Sequence, residues 1–330
     1  MAEMEWAELA PGFRIPRIIN GMWQVAGGHG AIDLKAALSA MAEHHNAGLV
    51  CWDAADIYGP AEELLGGFRR GLAPEELARS VVFTKFVPPP GPMTRSIVEH
   101  HIDESLRRMG TDSIDLLQFH WWDYNDPAYL DALDHLDALR AEGKIRHLGL
   151  TNFDTERLRL IVDHGIRPVS NQVQCSVLDQ RPLSLMAPFC EKNGIALLAY
   201  GTLLGGFLSE KYLGADEPAR PETHSLQKYL RMIEEWGGWG LFQELLAALG
   251  KIAERHSAGT ANVAARFALD MPAVAGVIIG ARLGISGHIP ETLRVPGLAL
   301  DGADLGAIRS VTERSGDLFA LLGDCGGEYR

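Results

Sequence analysis

Three short apolar runs end in residues that can hold a charge or move a proton: Asp53 in GLVCWDA, Lys85 in SVVFTK and His120 in IDLLQFH. Tyr58 stands five residues beyond Asp53. A tyrosine, with a pKa of about 10, exchanges protons poorly at neutral pH. An ammonium a few ångströms away favours the phenolate and lowers that pKa. Such an ammonium, held in a cleft, needs a counter-charge because an unpaired buried ion is costly, and an aspartate supplies it. A histidine beside them can orient a carbonyl oxygen and share the proton. Asp53, Lys85, Tyr58 and His120 therefore make a device for protonating an oxyanion while another group delivers a hydride. The same stretch, CWDAADIYG, holds a second acid, Asp56. A solvated or helix-capping loop acid is the expectation for it.

The device works only if the ends of separate segments converge. Eight short apolar runs bounded by Gly, Pro, Asn or Asp read as buried parallel strands, at 17–22, 48–54, 80–85, 114–120, 145–152, 167–172, 194–200 and 275–280. Helix-period segments lie between them, and DLKAALSAMAEHHNAG and IVEHHIDESLRRMG each close on a glycine. Strand–helix units filling the chain predict an α/β fold, a (β/α)8 TIM barrel forming a single domain over 1–330, with long loops at the C-terminal face. A doubly wound sheet is set aside because no composition break divides the chain. Barrel sites lie at the C-terminal strand ends. After Asp53, Lys85 and His120, those ends carry Thr151, Asn152, Gln172 and Tyr200. Trp23 follows the first strand and Trp121 and Trp122 the fourth, which makes them substrate-pocket candidates. From Gly201 to about Gly240 no strand pattern occurs, so a lid or binding loop is expected there, with Trp236 and Trp239 as further pocket candidates.

Lys and Arg number 30 against 43 Asp and Glu, a formal net charge of −13. That balance argues against nucleic acid or an anionic membrane as partner. A phosphorylated small molecule remains compatible, since it needs only a few local cations and backbone N–H groups. Cys51, Cys175, Cys190 and Cys325 show no C-x-x-C spacing and read as buried thiols. The N-terminus lacks a signal pattern, and no apolar run approaches the roughly 18 residues of a membrane span. A reduced, cytoplasmic protein is expected. No metal is expected, because the pairs His44-His45 and His100-His101 are adjacent rather than one helical turn apart.

Taken in order, DAADIYG, FTK, IDLLQFHW, GLTNF, NQVQ and LLAYGTLLGGFLSEKY resemble the aldo-keto reductase family, from IPRIINGMWQ to VIIGAR and ETLRV. The resemblance implies that Asp53, Tyr58, Lys85 and His120 are catalytic, with Tyr58 as acid/base, Lys85 as its activator and His120 as carbonyl-orienting partner. It implies NADPH/NADP+ as cofactor. Thr151, Asn152 and Gln172 fall where the family holds the nicotinamide carboxamide, and Tyr200 where an aromatic stacks on the ring. The loop with Gly201, Leu203, Gly205, Gly206 and Lys211 matches the pyrophosphate loop. Gly280, Arg282, His288 and Glu291 fall on the adenosine side, with Arg282 at the 2′-phosphate. Two departures stand out: Glu291-Thr292 replaces the usual Glu-Asn pair, and the loop around His288 is longer. NAD use therefore stays open. Asp56 falls at a variable position of the pattern.

The expected function is an NADP(H)-dependent oxidoreductase interconverting an aldehyde or ketone and its alcohol, with a small carbonyl or alcohol as partner. Two other classes fit the same resemblance or fold. One is a cofactor-binding redox sensor akin to the potassium-channel β-subunits; the other is a barrel binding a sugar phosphate without redox chemistry. GTLLGG runs on into Phe207, so it is not a P-loop, and no G-x-S-x-G elbow occurs.

Overall fold

Side-chain alternation along eight short strands organises the molecule, seen in a computed structural model that describes residues 3–27 and 32–325. An antiparallel hairpin comes first, β1 (Trp6–Ala10) and β2 (Phe13–Pro16). The barrel strands follow: β3 (Ile18–Gly21), β4 (Cys51–Asp53), β5 (Val81–Phe86), β6 (Ile114–Phe119), β7 (Ile145–Thr151), β8 (Ser170–Gln174), β9 (Ala196–Tyr200) and β10 (Val274–Gly280). They close in the order β10-β3-β4-β5-β6-β7-β8-β9, all parallel, which is the expected (β/α)8 barrel.

Alternate residues of a strand face opposite sides. On the axis side, Ile19, Cys51, Phe83, Leu116, Leu198 and Ile278 fill the barrel. On the other side, Ile18, Trp52, Val82, Phe86, Leu117, Phe119, Val173, Leu197 and Val277 pack against the helices. The hairpin, which the strand pattern missed, adds Leu9 and Ile15 to the inner cluster and so plugs the N-terminal end of the barrel. Arg17 locks it there, donating to Leu269 O, Val274 O and Ala275 O.

Helices follow each strand: α1 (Leu34–Asn46), α2 (Ala61–Arg70), α3 (Pro74–Arg79), α4 (Arg95–Met109), α5 (Ala128–Ala141), α6 (Thr155–His164) and α7 (Met186–Asn193). After β9 come α8 (His224–Trp236), α9 (Gly238–Arg255) and α10 (Thr260–Leu269), and after β10 come α11 (Ile289–Thr292), α12 (Gly302–Thr312) and α13 (Leu318–Leu322). Local chemistry sets their ends. Thr94 caps α4 by accepting from Ile97 N, and Gly110, in the left-handed region at φ 61°, ends it.

The long connection after β9 differs from the open loop expected. Its second half is α8, capped by Thr223, with Tyr229, Leu230, Met232, Ile233 and Trp236 buried along one face. That face joins Phe242, Leu245, Leu246 and Leu249 of α9 in a second apolar core beside the barrel. Pro221 before the helix and WGGWG after it hid a 13-residue helix between two breakers. No helix among the described residues is long and apolar enough to cross a membrane.

Helices α2 and α4 cross at Gly66, where an added Cβ would lie 2.4 Å from the backbone oxygen of Arg108. A backbone neighbour cannot rotate away, so Gly66→Ala must push the helices apart. Overpacking of this kind costs about 1–3 kcal/mol. The urea midpoint should drop accordingly, and an unchanged midpoint would refute the tight crossing.

Candidate active site

The charged strand ends meet inside the barrel, although the ladder sets Asp53 opposite Phe83 and not opposite Lys85. Asp53 ends β4, Lys85 lies one residue from the end of β5, and Gln118 of β6 pairs with Lys85 in the ladder. Each stands two residues beyond an axis-facing core residue, Cys51, Phe83 or Leu116, and so shares its face. Lys85 Nζ donates to Asp53 Oδ2 at 2.6 Å and to Ala54 O at 2.9 Å. Asp53 Oδ1 accepts from Gln118 Nε2 at 2.7 Å and from Gln172 Nε2 at 2.9 Å. Gln172 Nε2 also donates to Gln118 Oε1 at 2.7 Å. Lys85 and Asp53 are 4% and 3% exposed, so each charge depends on the other. Burial pulls the Lys85 ammonium below the ordinary lysine range, against the opposing pull of Asp53 and Asp56.

Tyr58 reaches this pair from the loop after β4. Its ring centre lies 4.9 Å from Lys85 Nζ, and the Trp23 ring meets it edge-on at 5.0 Å. His120 follows β6, anchored by its N–H to Phe86 O at 3.0 Å, and is buried. Trp122 stands edge-on to its imidazole at 4.5 Å. Trp23, Trp122 and Ile57 of the Tyr58 loop are all exposed, giving the mouth apolar walls. The other three tryptophans expected at the pocket pack differently. Trp121 is fully buried, its Nε1 donating to Asp123 O and Asp126 O. Trp236 is buried in the second core, and Trp239 packs against Phe207 and Phe242 while donating to Ala215 O. Trp121 and Trp236 are thus core residues, whereas Trp239 is half-buried at the edge of the second core.

The end of β7 and β9 forms a second hydrogen-bonded set. Asn152 sits in the left-handed region at φ 57°, unusual for a non-glycine, and its Oδ1 accepts from Tyr200 Oη at 2.9 Å. Thr151 Oγ1 donates to Gln172 O at 3.2 Å. Gln172 commits its amide N–H groups to Asp53 and Gln118. In the turn after β9, a Cβ at Gly201 would lie 2.4 Å from Tyr229 Oη, and one at Gly205 would lie 3.1 Å from the Tyr229 ring. These two glycines, in the loop matched to a pyrophosphate loop, make room for α8. Gly206, at φ 109°, has open space around it. Leu203 is half-buried between the two cores, and Lys211 is exposed beside Tyr212. Gly280 makes way for the Gln24 amide, which an added Cβ would strike. Arg282, His288 and Glu291 lie exposed along the segment after β10.

Two residues stand in the site without having been singled out, and Asp56 departs from its expectation. Gln118 is a polar residue on the inward face of an apolar strand, two before His120, and that placement was its signal. Lys228 of α8 holds its Nζ 5.4 Å from the ring centres of both Tyr200 and Tyr229, and nothing local marks it. Asp56 is neither a solvated acid nor a helix cap. Pro60 takes the cap position of α2, and the Asp56 carboxyl turns inward, with Oδ2 accepting from Val87 N at 3.1 Å and Oδ1 buried.

The pattern of the Aldo/keto reductase family matches residues 17–313. The chain belongs to the aldo/keto reductase family. Among relatives, Aldo-keto reductase YhdN of Bacillus subtilis (strain 168) is 26% identical over 94% of this chain and 95% of its own. Flagellar radial spoke protein 5 of Chlamydomonas reinhardtii is 30% identical over 66% of this chain, and the matched region is 49% of its length; the chain spans about half of that relative. The crystal structure of an aldo/keto reductase from Klebsiella pneumoniae, in complex with NADP and acetate, superposes with a TM-score of 0.69 at 23% identity, covering 91% of this chain and 92% of that one. That likeness is one of fold, and it extends over the barrel this aldo/keto reductase family member shares with it.

Burial, and after it the nearby Glu62, pushes the Asp56 carboxyl up to about 7, against the hydrogen bond from Val87. The folded chain then keeps a proton that the unfolded chain, titrating near 4, has released, so stability falls as pH rises from about 4 to about 7. At about 1.4 kcal/mol per pH unit the full effect approaches about 4 kcal/mol. Asp56→Asn removes this titration. Between pH 5 and pH 8 its unfolding midpoint should decline less than that of the natural chain; parallel declines would contradict the buried carboxyl.

Proposed function

We propose that the chain is an NADP(H)-dependent oxidoreductase that interconverts an aldehyde or ketone and its alcohol, with Tyr58 as general acid/base. One observation carries this reading: an ammonium pinned by Asp53 out of water, with the Tyr58 ring 4.9 Å away at the C-terminal mouth of the barrel.

The mouth suits a dinucleotide by the chemistry of its residues. Tyr200, tethered to Asn152, offers a ring edge and face; Gly206 leaves its backbone approachable; Lys211, Lys228 and Arg282 supply cations on the same side as the turn after β9 or beyond β10. Arg282 is the residue that would favour a 2′-phosphate and hence NADP over NAD. When bound, the reduced nicotinamide supplies the hydride.

The chain's own groups manage the proton. As negative charge develops on the carbonyl oxygen, Tyr58 Oη donates its proton to it. Lys85 lowers the cost of leaving a phenolate behind, and Asp53 keeps Lys85 charged and in place despite its burial. His120 orients the oxygen from the neighbouring strand end. For alcohol oxidation the phenolate takes the proton back. Trp23, Ile57 and Trp122 surround this point and support a carbonyl compound with an apolar body.

Tyr58→Phe should lower kcat by at least about 100-fold while NADPH binding, followed by fluorescence, is unchanged. Asp53→Asn should impair turnover severely by uncoupling Lys85. The natural protein should consume NADPH steadily with a panel of aldehydes. A single turnover limited by cofactor release would mark a sensor instead, and full activity in Tyr58→Phe would sink the assigned mechanism.

A further inference from the structure

The segment after β4 leaves the barrel while β5 runs on, and the ladder between them continues with only one regular strand. Ala54 N donates to Phe83 O at 2.9 Å, and Asp56 N donates to Lys85 O at 3.1 Å. The next rung needs an acceptor opposite Val87 N–H. By then the loop has turned back on itself, Tyr58 N donating to Ala55 O at 3.1 Å. Val87 is 8% exposed, and an unmade hydrogen bond at a buried N–H costs about 1–3 kcal/mol. The Asp56 carboxyl replaces the missing carbonyl, Oδ2 accepting from Val87 N at 3.1 Å. One residue thus supplies two successive rungs, the first from its backbone and the second from its side chain. The first rung falls on Lys85 itself and the second two residues on, at Val87, and the residue making them stands two positions before Tyr58.

We propose that Asp56 is a positioning residue for the reaction: its paired bonds to β5 hold the loop of Tyr58 against the strand of Lys85 and set the gap across which the ammonium acts on the phenol. This rests on the reading of Tyr58 as proton donor. The interaction between ammonium and phenolate varies inversely with distance, so the gap governs how far the phenol is activated. A displacement of about 1 Å in a reacting group can cost about 100-fold in rate.

The surroundings leave the task to Asp56. Of the charged groups facing it, Lys85 on β5 is paired with Asp53, while Glu62 on α2 accepts from Thr84 Oγ1 and from Arg108 of α4. Glu62 is therefore committed elsewhere and does not compete for Val87 N–H. Asp56 Oδ1 is buried without a hydrogen-bond partner among the described residues, so the bond that the carboxyl makes to β5 runs through Oδ2. An asparagine keeps an acceptor for that bond; an alanine removes it.

The test compares Asp56→Ala and Asp56→Asn with the natural protein in NADPH-dependent reduction of an aromatic aldehyde. Hydrogen exchange is followed by mass spectrometry in segments 54–61 and 82–89 of the same preparations. Asp56→Ala should lose about 10- to 100-fold in kcat, with NADPH affinity unchanged and exchange in both segments accelerated. Asp56→Asn should restore rate and protection together. Asp56→Leu, which keeps the branched shape and lacks the acceptor, replaces the alanine variant if that one does not fold. Undiminished kcat in the alanine or leucine variant would overturn the proposal, and so would an asparagine variant as slow as the alanine. If the natural protein reduces no carbonyl, the oxidoreductase reading fails by itself, and exchange then decides: protection lost in alanine and kept in asparagine supports the clamp, and unchanged protection refutes it.

Discussion

A lysine and an aspartate shut almost completely from water, 2.6 Å apart, govern this molecule. A buried ion pair gives little stability over an apolar pair of similar volume, because desolvating both charges consumes most of their attraction. Removing one partner is far worse, costing about 3–5 kcal/mol by stranding the other charge. The pair is therefore a constraint that the fold must satisfy. It does so by giving Asp53 Oδ1 two amide donors, Gln118 and Gln172, so that no lone carboxylate oxygen faces the apolar interior. The residues involved come from β4, β5, β6 and β8, and the polar layer consequently ties together strands from different sides of the barrel. Around it Phe83, Leu116, Leu198 and Ile278 fill the barrel interior and supply the stabilisation the ion pair does not.

Strand register accounts for most of this arrangement and loop chemistry for the remainder. A two-residue step separates Cys51 from Asp53 and Phe83 from Lys85, so the apolar filling of one level dictates where the charges of the next level stand. Tyr58 is not on a strand and inherits no such precision. Its place is fixed by the loop's bonds to β5, by the start of α2, where Ala61 N donates to Tyr58 O, and by the edge of Trp23. In the proposed reaction, a proton donor carried on a loop can be approached by a substrate from outside, whereas the lysine proposed to activate it stays on the rigid scaffold.

Much of this was legible in the residues. The eight barrel strands announce themselves because they are buried on both faces and read as apolar runs, and the chemistry is visible where a run ends in Asp53, Lys85 or His120. What escaped depends on partners distant in the chain. WAELA and FRIP are too short and mixed to mark a hairpin until Leu9 and Ile15 are seen inside the barrel. Trp121 and Trp236 sit at positions where a mouth residue was expected, but polarity alone cannot tell a tryptophan that lines a cleft from one that fills a core. Asp56 was taken for an ordinary loop acid because its acceptor duty lies with Val87, 31 residues away. Gly201 and Gly205, matched by resemblance to a pyrophosphate loop, also make room for Tyr229, a contact that no local pattern shows.

That last contact bears on how the two sides of the mouth are built. The Asp53–Lys85–Tyr58 side rests on the barrel's own interior. The Tyr200 side rests on the second core, since α8 packs onto the turn after β9 through Tyr229 and Ser225 and carries Lys228 to the Tyr200 ring. A side chain at Gly201 or Gly205 would have to displace Tyr229 while also straining a left-handed backbone, and the strain would reach Tyr200 and, through its hydroxyl, Asn152. The second core therefore shapes the turn from behind. Its large buried side chains, Trp236 and Phe242 among them, are remote from any proton transfer, yet they hold the helix that positions a cation and an aromatic ring at the mouth. The long connection after β9, expected as a lid or binding loop, acts through α8 as a buttress of the mouth.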